Sequence, residues 1–384
     1  MSKLADHPET AVLQLRSGSG FFGAENVVLE IAKGLRRTRY RPIIGLLANN
    51  SQADVELARQ AEAHGIESVI FKCNQRVDFS TVAAIKRFVN RNGVGILHPH
   101  GYRADVYTLA ASSRLPVKRV ATCHPWTERT YSRRARFYAW LDQSLLPRFD
   151  HVVAVCQEVK DEILQKRIRA EAVSVIENGI DVDRFAIGRT REELCRELKL
   201  PSERFLIGTI GRLVPEKGHH LLIEAAASLR EALPNAFYVI AGDGALFPSM
   251  EKMVADLGLS DRFRFLGVCN RVPELLAALD VFILPSISEG LPMVILEAMA
   301  ARKPIIATGV GAIPQVLTDG ECGLVVSPNS SSLAAATSRI AGDPDLRQRL
   351  AHKAYVRVLD QYSSERMAQK YAEIFDHVRC GYGK

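Results

Sequence analysis

Short apolar runs alternate with amphipathic stretches along this chain, and the alternation occurs twice. The runs Thr10–Leu15, Ile43–Ala48, Ser68–Phe71, Gly95–His98, Val117–Thr122 and His151–Val155 read as buried strands. Helical patterns lie between them, from Ala24 to about Arg37 and over Ala53–His64, Phe79–Arg91, Arg103–Ser112 and Tyr131–Leu146. Buried strands interleaved with helices predict a parallel sheet covered on both faces. The rhythm breaks after Val173–Ile176, where the chain turns on Asn178-Gly179 and runs through the polar stretch Gly188–Lys199 to Pro201. It restarts with strands Phe205–Ile210, Ala236–Ala241, Arg262–Phe265, Val281–Leu284, Pro304–Ala307 and Gly323–Val325. Helices are expected to begin near Lys217, Leu246, Val272, Pro292 and Ser332, and the C-terminus is expected to be helical with a break near Tyr362-Ser363-Ser364.

The expected fold class is therefore α/β, with two Rossmann-like doubly wound domains. A chain of 384 residues also exceeds what one core usually supports. The expected division is a first domain over 1–185, a linker over 186–203, a second domain over 204–362 and a terminal helical segment over 363–384. Two such domains imply a central cleft. Ligands in such sheets sit at the carboxyl ends of the strands, where strand order reverses.

Composition narrows the class. The chain is 47% hydrophobic and 24% charged, as expected of a globular protein. No apolar run reaches the ~18 residues needed to span a bilayer. MSKLADHPET lacks the apolar core of a secretory signal. The seven cysteines are scattered without a C-x-x-C pair, which favours free thiols in a reducing compartment and sets a cytoplasmic expectation. A net charge of +7 suits anionic ligands or an anionic membrane surface, and equally a solvated surface excess. The stretch Arg129–Phe149 combines Arg129, Arg133, Arg134, Arg136 and Arg148 with Phe137, Tyr138 and Trp140. It suits either a peripheral helix on an anionic membrane or an ordinary amphipathic domain helix.

The loops after strands hold the candidate chemistry. Gly18-Ser19-Gly20-Phe21-Phe22-Gly23 has the G-x-G-x-x-G pattern, but Leu47-Ala48-Asn49-Asn50 offers no carboxylate for a ribose. NAD binding is set aside; a glycine loop able to approach a phosphate, or a plain tight turn, remains. Gly211-Arg212-Leu213-Val214-Pro215-Glu216-Lys217-Gly218 places two cations after a strand, a guanidinium fork and a point charge suited to a diphosphate. In Ala241-Gly242-Asp243-Gly244, Asp243 reads as a helix-entry residue. His100 reads as a hydrogen-bonding histidine at a strand end and His98 as packing. No convincing metal-ligand spacing accompanies them or His124, so no metal is expected. Asp181-Val182-Asp183 reads as a turn with a capping role. In SISEGLPMVILEAMA, Ser286–Ala300, Glu289 falls in a strand-to-helix loop, Gly290 allows close approach and Pro292 suits the first helical turn. Glu297 then lies between one and two turns into the helix. The pair could be a site or a cap with a solvated glutamate.

GRLVPEKG, AGDG, Phe265-Leu266-Gly267 and SEGLPMVILEAMA occur in an order and at separations that resemble the retaining glycosyltransferases of family 4, with the GT-B fold. Gly23-Ala24-Glu25, His100 and ENGIDVDRF fit as well, so the resemblance covers essentially the whole chain. It departs in the first half, where the family's usual Gly-Gly is Phe22-Gly23. The resemblance implies that Arg212 and Lys217, in the loop opened by Gly211, neutralise a donor diphosphate. Glu289, Gly290 and Leu291 would hold sugar hydroxyls and phosphate, Glu297 the ribose diol, and backbone near Gly267-Val268 the base. Gly23 would approach the phosphates and His100 the sugar ring, and the last helix would cross back to the acceptor-side first domain. The donor would be a nucleotide-sugar, with UDP-sugar favoured over GDP-sugar, and the acceptor a glycan or lipid-linked saccharide in cell-surface polysaccharide or lipopolysaccharide synthesis. No cofactor and no nucleic acid are expected. Two other readings stay open: a non-hydrolysing sugar-nucleotide epimerase, and a sugar-nucleotide-binding protein without turnover.

Overall fold

The predicted runs assemble into two parallel sheets. A computed structural model describes residues 10–17, 23–48, 55–73, 78–124, 133–166 and 168–381, with side chains of the 133–145 helix described from Ala139 onward. The glycine loop Gly18–Phe22 lies outside the described residues, as do the side chains of Arg133, Arg134, Arg136, Phe137 and Tyr138. The described chain divides into two compact units, one holding the residues up to Gly179 and those from Ser364 on, the other Ile180–Ser363.

The first unit runs β1 (Thr10–Ser17), α1 (Gly23–Leu35), β2 (Tyr40–Ala48), α2 (Glu56–Ala63), β3 (Glu67–Lys72), α3 (Phe79–Arg91), β4 (Val94–His100), α4 (Tyr102–Ser112), β5 (Lys118–Cys123), α5 (Arg133–Leu145), β6 (His151–Ala154), α6 (Gln157–Leu164) and β7 (Val173–Val175). Its seven strands lie in the order β3-β2-β1-β4-β5-β6-β7, all parallel. Side chains alternate across a strand, so β2 feeds both faces. Ile43 and Leu47 pack with Leu13, Leu15, Ile85 and Tyr107, while Ile44 and Leu46 pack with Val28, Ala32, Leu57 and Ala61. β2 begins three residues earlier than its apolar run suggests. Pro42 stands opposite Val12 near the strand start, where a missing N–H costs little. β4 likewise continues through Pro99 to His100.

The second unit runs α7 (Arg191–Leu198), β8 (Phe205–Ile210), α8 (His219–Ser228), β9 (Ala236–Ala241), α9 (Phe247–Asp256), β10 (Phe263–Gly267), α10 (Val272–Ala278), β11 (Val281–Leu284), α11 (Met293–Ala300), β12 (Ile305–Thr308), α12 (Ile313–Leu317), β13 (Leu324–Val326), α13 (Ser330–Gly342) and α14 (Pro344–Gln361). The six parallel strands follow the order β10-β9-β8-β11-β12-β13. The stretch 186–203, read from sequence as a linker, belongs to this unit. α7 opens with a Thr190/Glu193 capping box and buries Leu194 and Cys195. Arg191 fastens it by donating to the carbonyls of Ala278 and Arg204 and to the Asp280 carboxylate.

The last helix, α15 (Ser364–Cys380), belongs to the first unit. It packs against α1 so closely that a Cβ on Gly34 would lie 2.5 Å from the Ala368 Cβ. Tyr371 and Phe375 are fully buried beside His98. Among the described residues no helix is long and apolar enough to cross a membrane.

Candidate active site

Strand order in the second sheet reverses between β8 and β11, the place where such sheets carry ligands. Ile207 stands opposite Val281, so the loops opened by Gly211 and by Pro285 leave the same edge of the sheet side by side. Neighbouring strands add the Gly242-Asp243-Gly244 loop, the residues after Gly267, and the loop after Thr308.

Backbone hydrogen bonds lace these loops together. Gly211 N–H donates to Ala241 O at 2.9 Å, Leu213 N–H to Asp243 O at 2.9 Å and Gly242 N–H to Gly267 O at 2.7 Å. On the other side Ile287 N–H donates to Glu216 O at 2.7 Å and Ala312 N–H to Gly290 O at 3.0 Å. Several of these contacts demand glycine, Gly218 and Gly242 most tightly. At Gly218, φ is +58° and a Cβ would sit 2.2 Å from Pro285 O; at Gly242, φ is +144° and a Cβ would sit 1.8 Å from Gly211 O.

An ion pair occupies the centre. Lys217 Nζ lies 2.6 Å from Glu289 Oε1, with the lysine 19% and the glutamate 8% exposed. Ser286 Oγ donates to the same oxygen at 2.6 Å, and Thr308 Oγ1 donates to the Ser286 carbonyl. Glu289 is thus fixed from β8, β11 and β12. Arg212 is exposed, and its side chain makes no hydrogen bond or ion pair among the described residues. The loop pair therefore holds one committed cation, one uncommitted cation and one oriented carboxylate.

The remaining second-unit residues fall around this centre. Pro292 is the residue before α11 rather than in its first turn, because its ψ of 123° is extended. Glu297 becomes the fifth helical residue and is half-buried, as is Gly290, while Leu291 is buried. No side chain caps the α11 N-terminus. Val268 is 72% exposed beyond Gly267. Asp243 accepts the Gly244 N–H at 2.7 Å, a local turn role. Asp181 precedes a 3-10 turn, Val182–Phe185, and its side chain does not cap it.

In the first unit, Gly23 is exposed and opens α1. His100 ends β4, is 1% exposed, and neither ring nitrogen has a hydrogen-bond partner among the described residues. Its carbonyl accepts Arg16 Nη1 at 3.0 Å, and Arg16 pairs with buried Glu25. His98 is fully buried, with Nε2 2.8 Å from Thr122 Oγ1.

Comparison with known proteins decides the family. The model described as "Glycosyltransferase Family 4" matches residues 22–184, and "Glycosyl transferases group 1" matches residues 190–357. The chain belongs to the family 4-type glycosyltransferases. It is 31% identical to the alpha-D-kanosaminyltransferase of Streptomyces kanamyceticus, over 62% of this chain and 63% of that relative. It is 35% identical to the lipopolysaccharide core biosynthesis glycosyltransferase LpsE of Rhizobium meliloti, over 46% of this chain and 52% of that relative. The alignments thus span between half and two thirds of these relatives. Anabaena HepE, solved in complex with UDP, superposes with a TM-score of 0.82 and 25% identity over 96% of this chain and 100% of its own. With its two parallel doubly wound sheets, this family 4-type protein has the GT-B fold.

Three residues of this glycosyltransferase-family chain carry site geometry that spacing alone does not flag. Ser286, which opens the Ser286–Ala300 stretch with no role predicted for it, orients Glu289, and Thr308, outside any motif, supports Ser286. His219, the first residue of α8, is 1% exposed with Nε2 3.2 Å from Arg212 O. Burial pushes its pKa down to about 4. Burial likewise takes His98 in the first unit down to about 3, helped by His124. Both values lie below the unfolded ~6.5. Their stabilising contribution is therefore complete above about pH 6.5 and is lost as pH falls towards the folded values. Each should cost about 1.4 kcal/mol per pH unit in that window. Urea unfolding at pH 7 and pH 5 should show clear destabilisation at pH 5; equal midpoints would contradict neutral, buried histidines.

Proposed function

We propose that this chain is a retaining glycosyltransferase that moves a sugar from a nucleoside-diphosphate donor, UDP-sugar in preference to GDP-sugar, to a glycan or lipid-linked acceptor. The observation that carries the reading is the juxtaposition of Arg212, Lys217 and Glu289 at the switch point of the second sheet. A leaving nucleoside diphosphate gains negative charge as the glycosidic bond breaks. Fixed cations aimed at it stabilise that charge in the transition state more than in the ground state. Arg212 would meet the diphosphate directly, while Lys217 would exchange its bond to Glu289 for a phosphate oxygen. Glu289 and the Gly290-Leu291 backbone would then hold sugar hydroxyls, Glu297 the ribose diol, and the backbone at Val268 the base. The assignments of Gly23 to phosphate and His100 to the sugar rest on the family resemblance.

The two cations would do the work for which other transferases use a metal, so no metal is assigned. Glu289 and Glu297 are not read as a glycosidase acid/base pair, because such a pair flanks a scissile bond and both of these lie around the start of α11. In the retaining route adopted here, the acceptor attacks the face from which the diphosphate leaves. The leaving phosphate takes the acceptor's proton, so no general base is named. Crystallised HepE binds UDP, and LpsE is named for lipopolysaccharide core synthesis; these relatives support a UDP-sugar and a cell-surface glycan acceptor for this chain.

A thermal-shift screen against nucleotide-sugars tests the reading, because a ligand that binds only the folded chain stabilises it by mass action, about 2.7 kcal/mol at a hundredfold excess over Kd. UDP-sugars should raise the transition. A screen in which no nucleotide-sugar does so would overturn the proposal.

A further inference from the structure

We propose that His219 is a positioning residue, which holds the Arg212 peptide so that the guanidinium faces the donor diphosphate; the inference rests on the donor reading above. The Arg212 side chain is exposed and has no partner among the described residues, so nothing beyond its own backbone sets its direction. That backbone is strapped at Gly211 and at Leu213 by bonds to Ala241 and Asp243. Between those straps, the Arg212 carbonyl accepts only a short-range bond from Val214 N–H, 3.0 Å, and the bond from His219. A carbonyl can only accept, so His219 carries its proton on Nε2 and donates it upward into the loop.

The imidazole lies directly beneath the loop. A Cβ built on Gly211 would be 3.7 Å from His219 Nε2 and 3.6 Å from Lys217 Cδ. Among the described residues, His219 is the one side chain that hydrogen-bonds the backbone of 211–217. It also follows Gly218, whose turn is wedged against Pro285 O. The ring therefore ties the start of α8 to the Arg212 peptide, with the Lys217 stem on the same side of Gly211. Catalytic geometry depends on such supports, and a misplacement of about 1 Å can cost roughly 10²-fold in rate. The bond needs a proton on Nε2, a donor that a glutamine amide can imitate and a leucine of similar bulk cannot.

The test compares the full-length chain with His219→Leu and His219→Gln. Two readouts are used: amide hydrogen exchange over residues 211–218, and affinity for UDP against affinity for uridine, which lacks the diphosphate. For His219→Leu the expected result is faster exchange confined to this loop, with UDP binding weakened about tenfold and uridine binding unchanged. His219→Gln should restore both. Equal loop protection and equal UDP affinity in His219→Leu would overturn the inference, as would a glutamine variant no better than leucine. Should the parent chain bind no UDP, the donor reading fails while the exchange comparison still decides what His219 holds.

Discussion

Replacing Arg212 or Lys217 by alanine is expected to lower sugar transfer by roughly 10²–10³-fold, the usual cost of deleting one group that stabilises charge developing in a transition state. The two variants should differ in stability. Arg212 is exposed and unpartnered, so Arg212→Ala should leave the unfolding transition where it is. Lys217→Ala strands the Glu289 carboxylate, 8% exposed, with the Ser286 hydroxyl as its remaining hydrogen-bond donor among the described side chains, and should destabilise the second unit as well. Steady-state transfer from a UDP-sugar, read beside urea unfolding, checks both. Unchanged turnover in either variant would remove the cations from the mechanism.

Glu289→Ala should separate the sugar from the diphosphate. Lys217 is held by Glu289, so a diphosphate must compete with that carboxylate for the ammonium. Removing Glu289 frees Lys217, and UDP should bind as well as before or severalfold more tightly. Transfer should nevertheless fall roughly 10²-fold, because the oriented acceptor for sugar hydroxyls is gone. Calorimetric titration of UDP, set beside transfer kinetics, gives the comparison. Loss of UDP binding in Glu289→Ala would mean that this loop serves the phosphates instead of the sugar.

Much of the fold is visible in the primary structure, because buried parallel strands are apolar runs and their order alternates with helices. Phe205–Ile210 and Val281–Leu284 are such runs, and the loops behind them follow directly. What spacing does not convey is which loops meet. Lys217 and Glu289 are 72 residues apart and touch because β11 pairs with β8, a pairing that no local pattern encodes. Ser286 and Thr308 are hidden for the same reason. Only a folded sheet brings the Thr308 hydroxyl under the Ser286 carbonyl, and with it the serine that orients Glu289.

Spacing reads the 186–203 segment as a linker, and contacts group it with the second unit; α7 is short, polar and buries only Leu194 and Cys195. Its anchoring comes from Arg191, which hydropathy ignores, and its start is marked in the sequence by the Thr190-x-x-Glu193 box. His98 and His100 share β4 because the strand runs on through Pro99, a residue that ordinarily argues against a central strand.

The central claim is that protein cations of the second unit, without a metal, hold a nucleoside diphosphate. Calorimetric titration of UDP into the chain in the presence of EDTA tests it most directly, with Arg212→Ala run alongside. The account predicts saturable binding that EDTA does not weaken and that Arg212→Ala weakens about tenfold or more. Binding that disappears with EDTA, or that is indifferent to Arg212, would contradict it.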